Sequence, residues 1–136
     1  MDQSEEQFQD LIANLTPRVN KALSQQNTVT PLGLLLFDSG DVEAVLSVSD
    51  KENDLSEDLN LLQQGLIEKA REKSAVAACI AYPDYANEVV VAYLENNENY
   101  TAKCSIPVVS NPTLQLDLEG IEIEDGMVFV FGEGGP

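Results

Sequence analysis

The chain has 136 residues, 24 of them Asp or Glu against 7 Lys or Arg, and contains no histidine, for a formal net charge of −17. The missing imidazole removes the commonest general base and metal ligand, and a surface of this sign repels phosphate backbones, so nucleic-acid binding is not expected. Hydrophobic residues make up 43%, close to the globular average of roughly 45%, so the chain can bury a core and reads as one domain over residues 1–136.

The opening Met1-Asp2-Gln3-Ser4-Glu5-Glu6 is acidic where a secretory leader is basic and then apolar. With no apolar run near the ~18 residues of a membrane span, the expectation is a cytosolic protein that meets no membrane. Phe8, Leu11, Ile12, Leu15, Val19 and Leu23 then form one helical stripe. Thr16-Pro17 carries a start signal, an N-cap followed by Pro at the first helical position, so two short helices or one kinked at Pro17 are expected. A stripe of this width reads as core cover rather than as a partner-binding face.

Pro31 opens the apolar run Leu32 to Phe37, which ends at Asp38-Ser39-Gly40-Asp41; Val42, Ala44, Leu46 and Val48 alternate beyond it, giving a hairpin. Asp50, Glu52 and Asp54 alternate like the first ligands of a calcium loop, but Leu55 stands at position six and Leu61 at position twelve, where Gly and Glu are needed. Asp54 with Glu57 reads instead as the cap of a second helix, whose apolar face is Leu55, Leu59, Leu62, Leu66 and Ala70. Glu57 and Asp58 near its start and Lys69, Arg71 and Lys73 near its end suit the helix dipole. The same cations are the one basic cluster that could attract a partner or a second copy.

Ala75 to Tyr82 is an apolar run of small residues, the pattern of a central strand covered on both faces. Val89, Val91 and Tyr93 alternate; Asn96-Asn97-Glu98-Asn99 turns the chain; Tyr100, Ala102, Cys104, Ile106 and Val108 form the other arm of a second hairpin. Pro107 suggests an edge or terminating position. After Lys103 the chain has no cation, yet Leu114, Leu116, Leu118, Ile121 and Ile123 alternate with polar residues, and Met127 to Phe131 is β-prone. Further strands are therefore expected there, with 132–136 as a flexible tail. Cys79 and Cys104 read as reduced core thiols, and two thiols without histidine do not complete a tetrahedral zinc site unless carboxylates or a second subunit contribute, so no metal or cofactor is expected. Asn14-Leu15-Thr16 and Asn99-Tyr100-Thr101 match the glycosylation pattern, which has no meaning without export.

The resulting fold class is α+β: an antiparallel sheet of about five or more strands with an N-terminal and a central helix, in the order α-β-β-α-β-β-β plus C-terminal strands. Pro31-Leu32-Gly33, Asp38-Ser39-Gly40, the helix Leu59 to Ala70, Leu94-Glu95-Asn96 and Pro107-Val108 make the span 31–109 resemble an uncharacterised bacterial family of small proteins. Leu32, Asn96 and Val108 replace that family's aromatic, His and Tyr. The resemblance implies a fold and no assigned activity. The element order is similar to the roadblock or profilin-like arrangement, whose members often dimerise and scaffold regulators. It is similar too to type III secretion chaperones, though the strand they place between the first hairpin and the second helix is missing here.

The function expected from these features is a non-catalytic interaction or regulatory module, homodimeric by analogy, that meets a protein partner. The alternative is an acidic neutraliser of a basic protein, such as an immunity protein or secretion chaperone. A carboxylate-based enzyme is the remaining class, and no nucleophile, base and oxyanion set identifies one. Catalytic, cofactor and metal residues are accordingly assigned to none. The candidate partner-facing residues are Glu119, Glu122, Glu124 and Asp125, in the anionic closing stretch.

Overall fold

The computed structural model describes residues 3–26, 31–46, 55–84, 86–110, 114–127 and 130. Its elements follow the expected order: α1 (Gln3–Gln26), β1 (Leu32–Phe37), β2 (Val42–Leu46), α2 (Leu55–Lys73), β3 (Ala75–Asp84), β4 (Val89–Asn96), β5 (Thr101–Ser110), β6 (Leu114–Leu116) and β7 (Glu122–Glu124), with a 3-10 turn at Leu118–Gly120. The strands form a seven-stranded antiparallel sheet in the order β2-β1-β3-β4-β5-β6, and β7 also pairs with β5. The expected cap at Asp54, the acidic residues 50–53, Val48, Val128, Phe129, Phe131 and the 132–136 tail lie outside the described residues.

α1 is one helix running through Pro17. Thr16 does not cap a new helix; its hydroxyl donates to the Ile12 carbonyl one turn back at 2.8 Å. A proline inside a helix costs about 3 kcal/mol, whereas Leu11, Leu15, Val19 and Leu23, all buried, contribute roughly 1.5–3 kcal/mol each. Breaking the helix at Pro17 would cost α1 its register on the sheet, so burial wins.

The sheet separates two cores. On one face α1 packs on Leu34, Leu36, Ala77, Cys79, Ala92, Leu94 and Ile106. On the other, Leu62, Leu66 and Ala70 of α2 pack on Leu35, Ala78 and Ile80. β3 thus lies between the helices, as its run of small residues predicts. At Gly33 an added Cβ would stand 2.9 Å from Leu66 Cδ2; α2 approaches β1 so closely that no side chain fits between them.

The connections are short and locally determined. Gly40 takes φ +95°, and its N–H donates to the Phe37 carbonyl at 2.8 Å, closing the β1–β2 turn with a residue suited to left-handed backbone. α2 ends at Ser74, φ +56°, which turns the chain directly into β3. Lys69 and Lys73 at the helix end both reach Glu43 on β2, at 3.4 and 3.2 Å, and their ammonium groups, Lys73 first, hold the Glu43 carboxyl below its ordinary pKa. Two of the three cations of the basic cluster are thereby engaged within the fold.

Pro107 is not at a sheet edge or a strand end. It lies inside β5, opposite Val89 of β4, and on its other side its carbonyl accepts from Asp117 N at 2.8 Å. A residue of an antiparallel strand directs its N–H and C=O to the same neighbour, so the donor that proline lacks faces the closing segment. There the last strand is interrupted. β6 pairs with Val108–Ser110, β7 with Lys103–Ser105, and the 3-10 turn fills the gap, which takes Leu118 and Ile121 out of the expected alternation.

Asn96, read from the sequence as a turn residue, ends β4 and is 1% exposed. Its Oδ1 accepts from Glu98 N and Tyr100 N at 3.0 and 3.1 Å, and its Nδ2 donates to Gln7 Oε1 on α1 at 3.1 Å. Each orphaned buried polar group costs about 1–3 kcal/mol. Asn96→Ala is therefore expected to lower unfolding free energy by about 3 kcal/mol in urea titration, against less than about 0.5 kcal/mol for exposed Asn97→Ala. In the opposite direction, Ser74→Gly relieves left-handed strain and is expected to raise stability by roughly 0.5–1 kcal/mol, read as an increase in Tm.

Candidate functional site

A cavity of about 440 Å³ opens between the first half of α1, the sheet face of β4 and β5, and the closing segment. Its floor is Leu94, Ala102 and Cys104; one wall is Phe8, Ile12 and Ala13 of α1, and the other is Leu118, Ile121 and Ile123. The small side chains of Ala102 and Cys104 give it depth. α1 makes its wall because the apolar stripe divides: Leu11 and Leu15 point into the core, while Phe8 and Ile12 are only partly buried.

The walls are held from both ends. Gln7 is fixed by Asn96, and Asn20 Oδ1 accepts from Leu116 N of β6 at 2.7 Å. The opposite wall is pinned by the Asp117 N bond to Pro107 and by Gly126, where an added Cβ would sit 2.7 Å from the Ala102 backbone. Beyond it the chain passes to the α2 side, where Val130 N donates to Glu95 Oε1 at 2.7 Å. Glu95 is 0% exposed, an uncommon burial for a carboxylate, which needs a partner of this kind.

The four candidate residues do not act as one patch. Glu119 is exposed beside the lining residue Leu118, whereas Glu122, two places from Glu124 on β7 and opposite Ser105, faces away from Ile123 and the cavity. Glu124 points to the other side of the sheet and pairs with Lys103 at 3.3 Å; that carboxylate first, then the Tyr93 hydroxyl, raises the Lys103 pKa. Lys103 Nζ in turn lies 5.8 Å from the Tyr93 ring centre. Asp125 is exposed just beyond β7. The residues missed from sequence are Glu5, Phe8 and Ile12 on α1. Their signal was present in the width of the stripe, which exceeds what one face of the sheet covers.

A second, smaller cavity of about 150 Å³ lies on the α2 side between Leu59, Gln63, Ile80, Tyr82, Tyr93 and Met127. Tyr82 and Tyr93 stack with centroids 6.3 Å apart, and burial, then the neighbouring Tyr93, raises the Tyr82 pKa. Among the described residues no group of three or more Cys, Asp or Glu is placed to hold a metal ion, and no helix is long and apolar enough to cross a membrane. Comparisons with protein-family models, curated proteins and solved structures each found no match, so geometry and charge carry the functional reading.

Both thiols are buried and unpaired in a disulfide. Burial raises the pKa of both thiols, that of Cys79 strongly, which holds both as poor nucleophiles. The unfolded chain ionises its thiols first, so their protonated burial favours folding at neutral pH and this contribution is lost as pH rises above the ordinary thiol value. Ellman's reagent at pH near 8 is expected to leave both thiols unreacted in the folded protein and to titrate two after urea unfolding. Rapid native reaction at Cys104 would mean that the cavity floor is open to reagent.

Proposed function

We propose that the chain is a non-catalytic interaction module of the cytosol that holds a basic protein partner in the groove between α1 and the closing segment. The observation that carries this reading is the coincidence of an open apolar groove with two walls that bear only acids. The first half of α1 carries Glu5, Glu6 and Asp10 with no cation before Arg18, and the closing segment carries Asp117, Glu119, Glu122, Glu124 and Asp125 with no cation after Lys103. Two of the six exposed large apolar side chains among the described residues, Leu118 and Ile123, line that groove. Contiguous exposed apolar surface rimmed by polar groups marks interaction sites, and one sign of charge on the rim selects the opposite sign by steering and by repelling wrong partners.

The lining itself argues for binding rather than catalysis. It contributes one carboxylate, Glu5, and one thiol, Cys104, which burial holds protonated. Two copies of a chain at −17 repel, so a second copy is a poor occupant of this groove. The proposed partner is instead a cationic protein, in line with an acidic neutraliser such as an immunity protein or secretion chaperone.

Ile123 is 67% exposed, so Ile123→Asp tests the groove without entering the core. Against a purified partner, identified by capture on the wild-type chain, this variant is expected to weaken binding by roughly tenfold or more. Glu5→Gln with Glu119→Gln is expected to weaken it severalfold at low salt and to flatten its salt dependence. Glu124→Gln should matter less, because Lys103 already engages that carboxylate. Unchanged affinity in Ile123→Asp would refute the groove as the docking site.

A further inference from the structure

Resting on that reading of the groove, we infer that its occupant is an amphipathic α-helix with basic flanks, not an extended peptide. Every strand of the floor is already paired on both sides: β4 with β3 and β5, and β5 with β4 and with β6 and β7. The floor therefore offers no backbone edge to which a strand could add. An extended segment lying along the groove would direct its N–H and C=O groups sideways, into Phe8 and Ile12 on one side and Leu118, Ile121 and Ile123 on the other, where the one strand, β7, is three residues long and pairs on its inner side with β5. Each such group left without a partner costs about 1–3 kcal/mol. A helix satisfies its own backbone and sends down only side chains.

The dimensions agree. The α1 wall runs from Glu5 to Ala13, about 12 Å at 1.5 Å per residue, or two helical turns. Two turns present three anchors on one face, at i, i+3 or i+4, and i+7, whereas an extended chain of that length holds about four residues and points two inward. The acids stand on both walls, Glu5 in the lining of one and Glu119 beside Leu118 on the other, so Lys or Arg belongs on both flanks of the partner's apolar stripe. The same acids repel an acyl lipid with an anionic head.

A random-peptide library panned on the wild-type protein and counter-selected on Ile123→Asp reads the geometry directly. Leu118→Asp, at a site 43% exposed, serves as a second counter-selection should either variant misfold. The expected result is enrichment of cationic sequences with large apolar residues at i, i+3 or i+4, and i+7, and a helix-stapled winner that binds at least about tenfold tighter than its proline-interrupted form. Groove-dependent peptides with apolar residues at i, i+2 and i+4, or equal affinity of the stapled and interrupted forms, overturn the helix and leave the groove standing. Peptides that bind both variants as well as wild type, or no enrichment at all, overturn the groove reading together with the helix.

Discussion

Two buried amides beneath α1, Asn96 at the end of β4 and Gln7 on the helix, set the geometry on which the groove depends. Asn96 uses its oxygen on the backbone of the β4–β5 turn, and this leaves its nitrogen free to donate to Gln7. One side chain thus fixes the hairpin tip and the helix above it at the same time. The apolar contacts of α1 resist lifting but permit sliding, since dispersion has little directional preference. A buried hydrogen bond has direction, and it stops the helix at one position along the sheet. With Asn20 holding β6 farther along, α1 is fastened at both ends, so the wall bearing Phe8 and Ile12 is in place before anything binds.

The two faces of the sheet carry different burdens. On the α2 side, small residues of β3 and Gly33 of β1 let the helix approach closely, and the ion pairs of Glu43 with Lys69 and Lys73 close the periphery. On the α1 side a longer helix covers a broader sheet yet stops short of the 103–105 end of β5, where β7 pairs. The uncovered strip is the groove. Preorganised walls lower the ordering cost of binding, and the acids on them raise the encounter rate with a cation.

Much of this architecture was legible in the sequence, because both helices and both hairpins carry strong periodicity and turn chemistry that agree with each other. The small-residue run of β3 correctly announced a strand covered on two faces. The readings that failed did so where tertiary contacts outweigh a local signal. At Thr16-Pro17, where two short helices or one kinked at Pro17 are expected, four buried side chains spanning the site hold one helix together, so only the split fails. Asn96 and Glu95 looked like ordinary polar residues near a turn, and only the arrival of α1 and of Val130, distant in sequence, makes them buried fasteners. The groove shares that origin: Glu5, Phe8 and Ile12 meet Leu118, Ile121 and Ile123 across more than a hundred positions of chain, and no local pattern records the meeting.

The interruption of the last strand opposite Pro107 has an evolutionary consequence. A change of length within a ladder needs a bulge, as between Leu36 and Phe37 where β1 meets β3, because one added residue otherwise turns every following side chain to the other face. Between Asp117 and Ile121 the ladder is already open, so residues can be gained or lost there without shifting β5 or the strands behind it. Those same residues form one wall of the groove. The shape of that wall can therefore change with the length of a single turn, while the rest of the sheet keeps its register.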